Sequence, residues 1–195
     1  MKILKLAGLV AIAALVLSGC SVVHQGAPSG TIERSSNPQV LAQLAYAKKY
    51  FTSPNATEFG NLGGTDCVNF TSQTLLARGW KMTTDWAHSN TGEPYTRAWI
   101  SSTALHDYLA AHPELAKPLS WSQRGQVSVG DIVQFDWDAS GDRDHTAIIS
   151  GIENVGGKRR LLVASHSPGA WDWRLTDEIA EHGNPTKVYF WHIQD

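Results

Sequence analysis

Apolar residues between Pro38 and Phe51 fall at Val40, Leu41, Leu44, Ala45 and Ala47, a three-to-four-residue spacing that predicts a helix. Ser36 or Asn37 ahead of Pro38 suits its start, since a short polar side chain can cap the first free amides and proline fits the first turn. A loop-like stretch from Thr52 to Thr65 follows, carrying Pro54, Asn55, Gly60, Asn61, Gly63 and Gly64. A second helix is predicted from about Asp66 to Arg78, with Asp66 as its cap, Phe70, Leu75 and Leu76 on its buried side and Gly79 closing it. After a polar excursion over residues 81–95, Ile100, Leu105, Tyr108 and Leu109 predict a third helix over 99–111, ended by His112-Pro113. Then the period changes. Residues 130–135, 146–151, 160–165 and 187–193 read as strands, with Asn154-Val155-Gly156-Gly157 a turn between two of them. Helices first and short strands afterwards predict an α+β domain whose N-terminal helices pack on a small antiparallel sheet.

The start of the chain follows another logic. Lys2 and Lys5 flank the entry to an apolar run from Leu6 to Leu17, which closes in Leu17-Ser18-Gly19-Cys20. A basic start, a short apolar middle and small residues at the exit mark an export signal. The run is shorter than the roughly 20 apolar residues a membrane-spanning helix needs. Its last four residues resemble a bacterial lipobox, which implies loss of residues 1–19 and a lipid on Cys20. Residues 20–37, rich in small and polar side chains, then form a flexible tether, and 38–195 the folded domain. The expected location is the bacterial cell envelope, held to the membrane by that lipid. This means the periplasmic face of the outer membrane in a Gram-negative host, or the outer face of the plasma membrane in a Gram-positive one. A net charge of −2 without a basic block argues against a nucleic-acid partner. Nothing points to an oligomer, so a monomer is expected.

The chain has two cysteines, and a lipid on Cys20 leaves Cys67 as a lone thiol outside the cytoplasm. An unpaired thiol there is either buried or used. Cys67 falls at the predicted start of the second helix, where free amides favour the thiolate, and His145 at the head of a strand can supply an imidazole. Together they make a nucleophile and its base, assembled by folding. A histidine base needs an orienting acceptor. His166, on the next strand across the Gly156-Gly157 turn, is favoured, with Asp144 and Asp172 behind it. The backbone N–H of Cys67 and the side chain of Asn61 are the candidate oxyanion donors. Asn69 and Gln73 share one helix face and can support the site or simply fasten the helix. Asp142, Asp144, His145 and His166 also allow a metal set, but a thiol enzyme needs neither metal nor cofactor. His88, His106, His112, His182 and His192 receive no role. Some of the eight tryptophans suit a groove that stacks on sugar faces.

Asp66-Cys67-Val68-Asn69-Phe70-Thr71-Ser72-Gln73-Thr74-Leu75, with Arg78-Gly79-Trp80, resembles the DCxNFxSQxL signature of the bacterial amidase domains of the papain-like group, relatives of the NlpC/P60 and CHAP cell-wall hydrolases. Gly130-Asp131-Ile132-Val133, Asp144-His145-Thr146-Ala147-Ile148-Ile149, Ser165-His166-Ser167 and Tyr189-Phe190-Trp191-His192-Ile193 resemble the rest of that family's pattern. The resemblance implies a papain-like fold, Cys67 as nucleophile, His145 as base and His166 as the third residue by place. With export, it implies cleavage of an amide in peptidoglycan, either the muramoyl–alanine bond or a stem-peptide bond. An acyltransferase or protease on the same scaffold, and a non-catalytic envelope lipoprotein, are the alternatives.

Overall fold

The computed structural model describes residues 23–27, 29–88 and 94–194. The expected export signal and Cys20 lie outside the described residues. In chain order the elements are β1 (Val23–Gln25), β2 (Thr31–Glu33), α1 (Pro38–Tyr50), α2 (Ala56–Phe59), α3 (Cys67–Arg78), α4 (Arg97–Ile100), α5 (Ser102–Ala111), β3 (Ala116–Leu119), β4 (Ile132–Asp136), β5 (His145–Val155), β6 (Lys158–Ser165), β7 (Gly169–Arg174), α6 (Leu175–His182) and β8 (Lys187–Ile193). One eight-stranded sheet runs β1-β7-β6-β5-β4-β8-β3, with β2 set against β5. β1 is parallel to β7, and the other pairs are antiparallel.

This corrects the expected small antiparallel sheet under N-terminal helices, and with it the papain-like layout. Helices are spread through the chain, α6 falling between β7 and β8, and the sheet is large and mixed. The physical reason lies in the strands that pattern reading missed. β1 and β2 fall inside the segment read as a tether, and each spans only three residues, too few to display an alternating pattern. β3 carries Pro118, which the sheet tolerates because β3 is an edge strand and needs no donor on its free side.

The helix starts and stops follow local chemistry. Asn37 accepts from the Gln39 amide and Pro38 opens α1. The helix read over 99–111 is two, because Ser101 leaves helical geometry and its hydroxyl caps α5 at the Ala104 amide. Gly79 ends α3 in the left-handed region at φ 111°. The β5–β6 hairpin turns on Gly156 and Gly157, both at positive φ, as a two-residue turn requires. Among the described residues, no helix is long and apolar enough to cross a membrane.

α3 is the axis of the core. Its residues from Cys67 to Leu75 are all buried, which marks a central helix rather than an amphipathic surface one. Phe70 joins a cluster with Leu44, Ile148 and Ala164, while Leu75 packs with Trp86, Trp99 and Leu105. Each such side chain contributes about 1.5–3 kcal/mol on burial. Arg78, near the end of α3, donates to Gln43 and to the Gly130 carbonyl. A Cβ on Gly130 would lie 2.7 Å from the Arg78 guanidinium and 2.9 Å from Gln43, so the loop approaches α1 and α3 this closely only as glycine. The next residue, Asp131, accepts from the amides of Ser128 and Ile193 and fastens β4 to β8. The core thereby fixes where the N-terminus of α3 meets the end of the sheet.

Candidate active site

Asp66 does not cap α3 with its side chain. Its Oδ1 accepts from the Leu62 amide at 2.9 Å and from Asn69 Nδ2 at 2.9 Å, and its Oδ2 faces His166 Nδ1 at 2.6 Å. Burial pushes the Asp66 carboxyl up, but the bonds from His166, Asn69 and Leu62 outweigh it and hold it below the ordinary carboxylate range. His166 is stacked on Phe70 at 4.1 Å and reaches the Tyr50 carbonyl with Nε2 at 2.7 Å. Ser167 donates to the Gly63 carbonyl and accepts from the Asp66 amide, closing the same knot. One clamp thus ties the end of α1, the loop before α3, the first turn of α3 and the end of β6.

On the other side of that turn, Cys67 and His145 line one cleft of about 220 Å³, together with Ser102, Trp137, Glu178 and His182. The Cys67 thiol has the Ser102 hydroxyl at 3.8 Å and lies at the amides of Thr146 and Val68. No hydrogen bond joins it to His145. Thr146 and Gln134, paired across β4 and β5, bond each other and Ser102, on the side where α5 packs. His145 and its partner Phe135, one residue along, face the other way, toward Trp137. The thiol and the ring therefore reach the cleft from either side of the end of β5. His145 Nε2 is buried without a partner among the described residues.

Burial pushes the Cys67 thiol up despite the nearby amides, the opposite of the activation expected at a helix start. It pushes the His145 imidazole down, to about 4, with the His182 ring adding to the effect. At neutral pH both groups rest uncharged. Glu178 in the same cleft is raised to about 7 by burial and by Glu181.

Several expectations need correcting. His166 is not the orienter of His145: both its ring nitrogens are committed, to Asp66 and Tyr50. Asn61 accepts from the Gly63 amide at 2.9 Å and lines the neighbouring cavity beside His166, not the Cys67 cleft. Asn69 and Gln73 need no such correction: of the two readings left open for them, the bonds they make are those that fasten α3. Asn69 donates to the Phe59 carbonyl and accepts from Trp99 Nε1, and Gln73 accepts from Tyr46. Four carboxylates, of Asp136, Asp138, Asp142 and Asp144, offer oxygens within 4.8 Å of one another, and that group takes in neither His145 nor His166. Sequence reasoning missed Ser102, Trp137, Glu178 and His182. Only the stacking of Trp137 on His182 at 3.7 Å follows a hint it contained, the suggestion that some tryptophans line a groove.

Compared with known proteins, residues 38–191 match the family model described as Putative amidase domain. Neither a curated protein nor a solved structure matches the chain.

Proposed function

The chain belongs to the Putative amidase domain family, and we propose that it is a cysteine-dependent amidohydrolase with Cys67 as nucleophile and His145 as base. One observation carries this reading: a thiol at the start of α3 and an imidazole at the start of β5, distant in sequence, line a single cleft. The unpaired His145 Nε2 supports it, because a buried donor or acceptor left without a partner costs about 1–3 kcal/mol and is retained where chemistry uses it.

Because both groups rest uncharged, the reaction starts from a neutral pair. For the reaction, Sγ has to leave its contact with Ser102 and meet the imidazole across the cleft. Sγ then attacks the carbonyl carbon of the amide as its proton passes to His145, and the oxyanion is met by the free N–H of Cys67 at the helix start. His145 returns the proton to the leaving nitrogen, the C–N bond breaks, and a thioester remains. Water, deprotonated by His145, attacks the thioester and frees the acid and the thiol.

The substrate class is an amide of peptidoglycan, either the muramoyl–alanine bond or a stem-peptide bond. Support comes from the export and lipidation pattern of residues 1–20, from the amidase family match over residues 38–191, and from the ring-stacking wall that Trp137 and His182 give the cleft. Purified peptidoglycan digested with the full chain, analysed by mass spectrometry, tests the reading. Free stem peptides or shortened stems are expected from the wild type and not from Cys67→Ala. Transferred muropeptides would identify a transferase instead. Equal products from both chains would reduce Cys67 to a core thiol.

A further inference from the structure

Between β4 and β5 the chain reads Asp136-Trp137-Asp138-Ala139-Ser140-Gly141-Asp142-Arg143-Asp144. Oxygen-bearing side chains at the first, third, fifth and ninth positions with glycine at the sixth follow the spacing of a calcium-binding loop. Gly141 takes φ 106°, as the sharp turn at that sixth position demands. The four carboxylates offer oxygens within 4.8 Å of one another.

A second observation is independent of that clustering. Asp136 is wholly buried, its Oδ1 has no donor among the described residues, and its carboxyl meets that of Asp138. No ion pair among the described residues brings a cationic side chain to the group. Arg143 instead donates to the carbonyls of Gly141 and Asp142 and lies over the Tyr189 ring at 3.6 Å. A buried carboxylate with an oxygen that has no donor, grouped with three more carboxylates, is strongly unfavourable unless a cation joins them.

We infer that this loop binds one calcium ion through Asp136, Asp138, Asp142 and Asp144. The donor set is all oxygen, which suits a hard cation and not zinc. Among hard cations, the loop spacing with glycine at the sixth position is that of a calcium loop, and calcium accepts a flexible carboxylate-rich shell where magnesium demands a near-ideal octahedron and keeps its waters. Ala147 stands where a complete loop carries its bidentate glutamate, so half-saturation is expected between ~10⁻⁵ and 10⁻³ M. The ion would brace one wall of the cleft, since Asp144 accepts from the Trp137 amide at 2.7 Å and both residues line it.

Calcium titrated into the EGTA-stripped full chain by calorimetry, with parallel thermal melts, tests the site. One equivalent of bound calcium, a rise in Tm and a weaker response to magnesium are expected. Asp138→Asn and Asp142→Asn, both at exposed positions, should each weaken calcium binding about tenfold or more. The site is overturned if folded wild type gives neither heat nor a Tm shift at millimolar calcium. Unchanged affinity in both variants, or an equal response to magnesium, would overturn it as well. No peptidoglycan enters these measurements, so their outcome is independent of the thiol reading.

Discussion

His166 and His145 approach the first turn of α3 from adjacent strands, and their surroundings differ in kind. The His166 ring is stacked on Phe70 and hydrogen-bonded at both nitrogens, within a clamp whose carboxylate, hydroxyl and amides find partners. The His145 ring is equally buried, yet its Nε2 has no partner among the described residues, and the nearby thiol meets a hydroxyl at 3.8 Å and two backbone amides without reaching that ring. A fold that can saturate one imidazole so fully leaves the other unsaturated. The difference teaches that of two histidines in one sequence motif pattern, the well-bonded one holds the scaffold and the under-bonded one keeps a ring nitrogen open, as the proposed base requires.

The sharpest way to break the comparison is to delete the proposed nucleophile. Cys67→Ala should lower peptidoglycan hydrolysis by about 10³-fold or more, while the thermal midpoint stays close to wild type because the clamp is untouched. His145→Gln should cost about 10²–10⁴-fold in rate with a similarly small change in melting. If either variant kept full activity, the cleft would be no more functional than the clamp.

Attacking the clamp should give the reverse pattern. Asp66→Asn leaves the His166 ring buried without its carboxylate, and breaking a buried pair of this kind costs about 3–5 kcal/mol, roughly 6–20 °C in Tm for a chain of this size. Activity per folded molecule should fall far less. The pH dependence sharpens this further. The folded Asp66 carboxyl sits below its ordinary range, so its stabilisation is complete above about pH 4, where the unfolded carboxyl is ionised. It is lost as pH falls through the lower folded value, and acid melts should show wild type and variant converging there.

An effect confined to the pH dependence of stability belongs to Glu178, which borders the cleft. Its folded value is raised to about 7 from an ordinary value of about 4.3. Wild-type stability should therefore decline as pH rises between those values and level off above, because the unfolded chain ionises first. Glu178→Gln should flatten that slope and gain stability chiefly above neutral pH, by melts across the range. An unchanged slope would mean that Glu178 is solvated and the cleft more open than its burial indicates.

Local chemistry alone determined a good deal here. The apolar spacing of Val40, Leu44 and Ala47, the proline and asparagine at the start of α1, and Gly79 after α3 specify helices through short-range sterics and capping, which any reader of the chain can apply. Gly156-Gly157 likewise announced its hairpin, because only residues tolerant of positive φ make so tight a turn. Cys67 and His145 stood out as a thiol and an imidazole at element starts, and the tertiary structure alone decided that they border one cleft. It alone also decided that burial, not the helix amides, sets the state of the thiol, and that His166 belongs to Asp66. Desolvation and long-range hydrogen bonding depend on which distant segments exclude water from a group, and no window of sequence contains those segments. The same holds for β1 and β2, three-residue strands whose structure comes from the sheet that receives them.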